Sequence, residues 1–317
     1  MEKVVCKAEY TMSKNPLKLD PSRTAGLRKR YAAEMKRKFG AIRKALVEWV
    51  GVDDALELKP QSSLVVFNAY QFPTAEARSA AFQAWLQKQV DAELLTVTSE
   101  GEKWTQKYVG SAYKQGVLRT YADTHKKDKL KGDKWYQGGQ SSFLADAFGG
   151  PEMLSKVRML ATRNFTQLKD VSSTMSSQLD MILADGMANG KGPREIARDM
   201  AKRVDGITKK RALVIARTEI IHAHAEGQLD SMEVLGVDKA TAAVEFATAG
   251  DDRVCPRCAA LEGKEYTIKQ AHGVIPVHPN CRCAWIPLVA TPSKEAAAEA
   301  DKTLDAFLNA PIEVYER

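Results

Sequence analysis

Two short cysteine clusters constrain this chain more than any other feature. The first reads Asp251-Asp252-Arg253-Val254-Cys255-Pro256-Arg257-Cys258; the second, nineteen residues on, reads His278-Pro279-Asn280-Cys281-Arg282-Cys283. Together they hold four of the five cysteines in 317 residues. A Cys-x2-Cys turn followed by a His-x2-Cys-x-Cys turn supplies five donors for a four-coordinate, tetrahedral Zn²⁺, the pattern of a closed structural site. Pro256 preorganises the first turn so that both thiolates point inward. Cys281 and Cys283 lie two residues apart, so joint ligation is expected to need a local bend. The expected ligands are Cys255, Cys258 and Cys281 with either His278 or Cys283. Thiols that stay metal-free, or pair as disulfides in an oxidising setting, are the alternative.

A catalytic zinc needs an open coordination position and a nearby base. The deaminase pattern of His-x-Glu followed by Pro-Cys-x-x-Cys does not occur: no proline precedes Cys255, and His222-Ala223-His224-Ala225-Glu226 has the wrong spacing. A zinc-braced nuclease of the His-Asn-His type is the better rival, because His272, Pro276 and Asn280 echo that core. It lacks the usual second Cys-x2-Cys and any downstream His or Lys at motif spacing. The expectation is therefore a non-enzymatic protein, with the zinc-braced nuclease, or another nucleic-acid-processing enzyme, as the alternative.

Around the cysteine clusters the sequence is mostly helical. Ser22 is placed to cap a helix through about Val50, with Leu27, Tyr31, Met35, Ile42, Leu46 and Trp49 at helical spacing. Thr74 opens a helix to about Leu95, and Thr98 or Ser99 opens another to about Tyr121. Residues 61–72 read equally as strand or short helix. The charged, aperiodic run 123–140 reads as a loop, in which Trp135-Tyr136 packs back on the body. A short helix ends at Gly149-Gly150-Pro151, and helices follow over 152–163 and 164–187. Gly190-Lys191-Gly192-Pro193 breaks the chain, and Pro193 starts a helix through Arg203 with Ile196, Ala197 and Met200 inward. Asp205-Gly206 reads as a turn, and Thr208 as the cap of a helix to about Leu235, closed by Gly236. Strands are expected over 242–248 and 284–288, the second an edge because of Pro287, and a separate helix over 293–309. The fold class is thus mainly α with a small α+β zinc-knuckle module near the C-terminus. The expected organisation is a basic helical region over 1–122, a flexible linker over 123–150, the knuckle-bearing domain over 151–290 and a helical tail over 291–317.

Net charge is +7, unevenly placed. Arg23, Arg28, Lys29, Arg30, Lys36, Arg37, Lys38, Arg43 and Lys44 crowd one stretch against the single acid Glu34. Of these, Arg28, Arg30, Lys36, Arg37, Lys38, Arg43 and Lys44 are the candidate nucleic-acid contacts, through phosphate neutralisation and counterion release. A second basic stretch over 191–217 is diluted by acids and reads as a solvated face. Aromatic residues are not interleaved as a base-stacking surface requires, so sequence-specific readout is not expected. No run approaches the roughly 18 apolar residues of a membrane helix, and the N-terminus has no secretory signal. An intracellular product with no membrane partner, Cys6 an ordinary thiol, is expected.

On the long helix, Ile215-Ala216-Arg217-Thr218-Glu219-Ile220-Ile221-His222-Ala223-His224 sets charges into an apolar run. Unpaired buried charge is costly, so Arg217 and Glu219 are expected to anchor this helix to the zinc module.

Arg217-Thr218-Glu219, then Asp251 to Cys258, then Gly263-Lys264, then His278 to Cys283, occur in an order that resembles the phage Mu F-like minor head protein family, also called the head morphogenesis family. The resemblance covers about residues 150–290. It implies a minor capsid protein acting in procapsid assembly with the portal and other capsid or scaffold proteins. It also implies residence inside the virion head, host cytoplasm during assembly, and in some members contact with packaged double-stranded DNA. Toxin-bearing relatives carry an extra enzymatic domain after this module, which the few residues after Ala290 are not expected to supply.

Overall fold

The computed structural model describes residues 20–59, 72, 74–124, 139–148, 150–234 and 243–288. The expectations for Cys6, 61–71, Trp135-Tyr136, Gly236 and 293–309 lie outside the described residues.

Helix α1 (Ala25–Leu46) forms because Leu27, Tyr31, Met35, Phe39, Ile42 and Leu46 share one stripe, all of them buried. Its start differs from the expectation. Ser22 is not the cap; Asp20 accepts from the Ala25 amide at 2.7 Å and takes the Ser22 hydroxyl and the Arg28 guanidinium on its other oxygen. A carboxylate is favoured there by the free amides of the first turn. A π-helical turn (Val47–Val52) follows, where Trp49 stacks on Trp85 with ring centroids 4.5 Å apart. Helix α2 (Ala75–Glu93) is capped as expected by Thr74, whose hydroxyl accepts from Ala77.

Thr98 and Ser99 do not start a helix. Thr98 instead closes a tight turn with Glu102, flanked by a Val97–Lys103 bridge, and α3 begins later (Gln106–Thr124). Helix α4 (Gln140–Phe148) sends Phe143 and Ala147 into the core. The expected break at 163/164 is absent, since α5 runs unbroken (Pro151–Ala188). Asn164 interrupts its apolar stripe but is fully buried and accepts from the Tyr31 hydroxyl at 2.9 Å, a contact 133 residues away in sequence.

Helix α6 (Pro193–Ile207) passes straight through Asp205-Gly206. The chain stays helical through a π-helical turn (Thr208–Ala212) into α7 (Leu213–Val234). Thr208 caps nothing: its hydroxyl turns back to the Val204 carbonyl at 2.8 Å. Asp205 instead pairs with Arg43 at 3.0 Å.

Helix α7 organises the molecule by facing two cores. Ala216, Ile220 and Ala223 join a core that draws side chains from Leu27 to Ala223, on both sides of segment 123–150. Ile221, Ala225, Leu229 and Met232 join a second core, over which the C-terminal module folds. Helix α3 crosses α7 at backbone contact, where a Cβ on Gly116 would fall 2.1 Å from the His224 carbonyl oxygen and one on Gly227 2.3 Å from that of Tyr113. Only glycine permits that approach.

The module comprises β1 (Ala243–Ala247), α8 (Pro256–Ala259), β2 (Glu265–Thr267), α9 (Ile268–Ala271) and β3 (Ala284–Leu288). Its sheet has the order β2-β1-β3, antiparallel throughout, with Val244 opposite Tyr266 and Phe246 opposite Trp285. Strand β3 is an edge, as Pro287 requires. Strand β2 was not anticipated; at three residues it is too short to show an alternation.

A candidate metal centre

Cys255 is the N-cap of α8, and its sulfur accepts from the Cys258 amide at 3.3 Å. Pro256 occupies the first helical position, where its missing N–H costs nothing. Cys258 therefore turns back over Cys255 towards the second cluster. There the chain turns at His278 to Asn280, closed by the Cys281 amide on the His278 carbonyl, with Asn280 at φ 63°.

The two clusters meet. Donor atoms of Cys255, Cys258 and His278 lie within 4.8 Å of one another, and so do those of Cys258, Cys281 and Cys283. Cys258 is common to both groups. Its sulfur is 4.0 Å from that of Cys281 and 3.2 Å from His278 Nε2. Two sulfurs bound at about 2.3 Å to one tetrahedral zinc stand about 3.8 Å apart, so the spacing fits a shared ion. His278 is also prepared for ligation: its Nδ1 is 2.7 Å from the Pro279 carbonyl, which orients the ring and leaves the Nε2 lone pair towards the sulfurs.

Cys281 and Cys283 are both buried and both bring their sulfurs within 4.8 Å of that of Cys258, while Arg282 between them projects away to Asp251. That pair is bidentate, at 2.6 and 2.7 Å, and Arg253 adds its amide and two guanidinium nitrogens to the same carboxylate. The Arg282 hydrogen bonds hold Asp251 far below the usual carboxylate range against the opposing pull of burial. Asp251 thus ties the approach of the first cluster to the middle of the second.

Electrostatics also favour a cation. Hydrogen bonds from Cys258 and Cys283 draw the Cys281 thiol well below its ordinary value, whereas the contacts with Cys281 and Cys283, with burial, push Cys258 strongly up. Sulfurs this close cannot all be thiolates unless a cation neutralises them. The donor set of soft thiolates and one imidazole suits zinc.

The charged motif on α7 is divided between two neighbours. Thr218 holds the module, its hydroxyl accepting from the Asn280 amide at 3.0 Å. Glu219 does not: it is buried against α5, beside Arg163 at 3.6 Å and Gln167 at 3.2 Å, and burial raises its pKa. Arg217 is exposed and no hydrogen bond or ion pair joins it to the described residues. The expected anchoring by Arg217 and Glu219 thus gives way to Thr218, because neighbouring residues point about 100° apart around a helix, so Thr218 faces the module while Glu219 faces α5.

Gln228 makes the deeper tie, donating to the Trp285 carbonyl at 2.9 Å and accepting from its amide at 3.3 Å, all buried. The sequence reading missed it, and also missed a polar stripe at helical spacing: Glu219, His222, Glu226, Asp230 and Glu233. His222 lies against Arg163, and burial drives its pKa down to about 4. His224 is fully buried and falls to about 3 for the same reason. His272, one member of the nuclease-like echo, lies against Glu226 and Glu233 of this stripe. Asn280, another member, serves the turn through its backbone.

Residues 177–286 match the family described as Phage Mu protein F like protein. This part of the chain is similar to the phage Mu F-like family. The match begins inside α5 and ends in β3, so it takes in α6, α7 and the cysteine module. The match supports a phage head morphogenesis protein. No curated protein and no solved structure matches the chain.

The basic candidates on α1 divide. Lys38 is withdrawn from any phosphate: it is 6% exposed, donates to the Glu93 carbonyl and lies over the Trp104 ring. Arg28 is largely buried on Asp20, and Arg37 pairs with Glu34 at the surface. Arg30, Lys36, Arg43 and Lys44 are exposed. The Arg43–Asp205 pair sets the C-terminal end of α1 beside the second basic stretch, where Lys202, Arg203, Lys209, Lys210 and Arg211 are exposed as well. Among the described residues no helix is long and apolar enough to cross a membrane.

Proposed function

We propose that this chain is a minor head protein of a tailed phage or prophage, acting with the portal in procapsid assembly and residing inside the head. The observation that carries this reading is the family match over α6, α7 and the module, which falls on the part of the molecule built around the cysteine cluster. In this reading the protein is an assembly component and not an enzyme. Zn²⁺ is held by Cys255, Cys258 and Cys281 with His278 or Cys283, and it closes the module rather than activating water. When bound, the ion supplies charge neutralisation and a cross-link; α7, through Thr218 and Gln228, supplies the surface on which the module sits.

The face shared by α1 and the turn after α6 is proposed to lie against packaged double-stranded DNA, because cations from two distant stretches converge there with Asp205 the acid between them. Reversing Lys209, Lys210 and Arg211 to Glu should then weaken the full chain's DNA affinity and flatten its salt dependence; an unchanged slope of affinity against salt overturns this contact.

The role itself is tested in particles. Mass spectrometry of purified heads lacking tails should find the chain, and heads from a deletion strain should be fewer or lose infectivity. A deletion strain with normal yield and infectivity overturns the assembly role. The purified, zinc-loaded protein should leave duplex DNA intact; cleavage that depends on His272 and Asn280 overturns the non-enzymatic reading.

A further inference from the structure

His272 follows α9 directly and stands where the module meets α7. Its Nδ1 lies 2.7 Å from Glu226 Oε2, and its Nε2 lies 3.2 Å from Glu233 Oε1. A neutral imidazole has one N–H and one lone pair, so it can donate to only one of two carboxylates. A doubly protonated ring donates to both. Glu226 is further held by the Gly273 amide at 3.0 Å, while Glu233 is more exposed and has Lys156 of α5 at 3.9 Å as a second cationic partner.

We propose that His272 is a proton-operated clasp between the cysteine module and α7, closed on Glu226 and Glu233 when the ring carries two protons and held by Glu226 alone when it carries one. The charged surroundings are consistent with two positions. Glu226, Asp230 and Glu233 face the ring from α7. Lys156 of α5 pairs with Asp230, which also accepts from the Tyr113 hydroxyl at 2.6 Å, so Asp230 is already satisfied. His222 of α7 is 3.8 Å from Glu226 and abuts Arg163 of α5. Lys269 is exposed on α9 itself. Glu233 is therefore the carboxylate with a choice: His272 when the ring is charged, Lys156 when it is not.

The direction of the pH response follows. The hydrogen bond to Glu226, with the neighbouring carboxylates, raises the His272 pKa against the opposing effect of burial. A raised pKa means the clasp contributes fully below about pH 6.5, the unfolded value, and is lost as pH rises through the folded value. His222 and His224 are shifted the other way, so they weaken the fold only as pH falls below about 6.5. The window above pH 6.5 belongs to His272 among these three histidines.

The test is a pH titration of the full-length, zinc-loaded chain carrying ¹⁵N-labelled histidine and ¹³C-labelled glutamate. At pH 6 both His272 ring nitrogens should be protonated, and the ring should titrate above 6.5, with the Glu233 carboxyl carbon shifting at the same midpoint. Glu233→Gln, a conservative change at a partly exposed position, should lower that midpoint by about one pH unit. Glu226→Gln should lower it further. A His272 midpoint at or below 6.5 overturns the clasp, as does a midpoint indifferent to Glu233→Gln. A Glu233 signal that does not follow the ring overturns the two-position exchange.

Discussion

The two cores that share α7 are built by different means. The bundle core is large and apolar, filled by Tyr31, Phe39, Phe82, Tyr113, Phe143 and many aliphatic side chains contributed by helices. The module core holds three cysteines among its buried residues and is enclosed by strands of five, three and five residues. A segment this small buries too little apolar surface to fold alone. The difference teaches that the bundle core is supplied by its own helices, whereas the module rests on a borrowed helix face and, on the proposed function, on a cross-link between its cysteine turns.

Removing the cross-link should separate the two most sharply. Cys258 belongs to both donor groups, so Cys258→Ser or strong chelation should unfold 243–288, because structural zinc contributes on the order of 10 kcal/mol. Trp285, now 1% exposed, should become accessible to a fluorescence quencher while most helical circular dichroism persists. Simultaneous loss of the helical signal would show that the two cores are one cooperative unit.

The converse experiment truncates the bundle. Phe39→Ala should cost about 3–5 kcal/mol of the bundle's unfolding free energy in urea, with zinc stoichiometry unchanged in the native protein. A fall in zinc content would break the proposed independence.

Between the cores, Gln228→Leu removes both buried hydrogen bonds to the Trp285 backbone and should cost about 1–3 kcal/mol. Amide exchange should rise first at β3. If it rises equally in α3, the loss is transmitted through α7 rather than confined to the module.

The smallest effect belongs to the surface. Arg43→Ala removes an exposed pair with Asp205 and should change stability by less than about 1 kcal/mol. A larger loss would mean that this pair holds α1 against the helical turn, a structural role beyond its exposure.

What was legible in the residues followed from local rules. The α1 stripe, the Thr74 cap, the Pro193 start and the edge position set by Pro287 depend on spacing or on one side chain's own geometry. Boundaries were misread where a distant partner satisfies a group that looks locally disruptive. Asn164 resembles a helix break until Tyr31 is placed against it, and Asp205-Gly206 resembles a turn until Arg43 and the buried Val204 and Ile207 hold the helix through it. The candidate site divides the same way. Five candidate ligands could be named from cluster spacing, but that Cys281 and Cys283 both come close to Cys258 while Arg282 reaches Asp251 was not legible there.

By itself the sequence determined that two cysteine turns would need to meet, that helices would dominate, and which family's motif order the chain follows. Only the tertiary structure decided that one helix would serve both cores. It also decided that Glu219 would turn to α5 while Thr218 and Gln228 took hold of the module, and that Lys38 would leave the basic face. The physical reason is that burial and pairing depend on what lies across an interface. Periodicity reports which residues share a face, and it carries no information about the residue that face will meet.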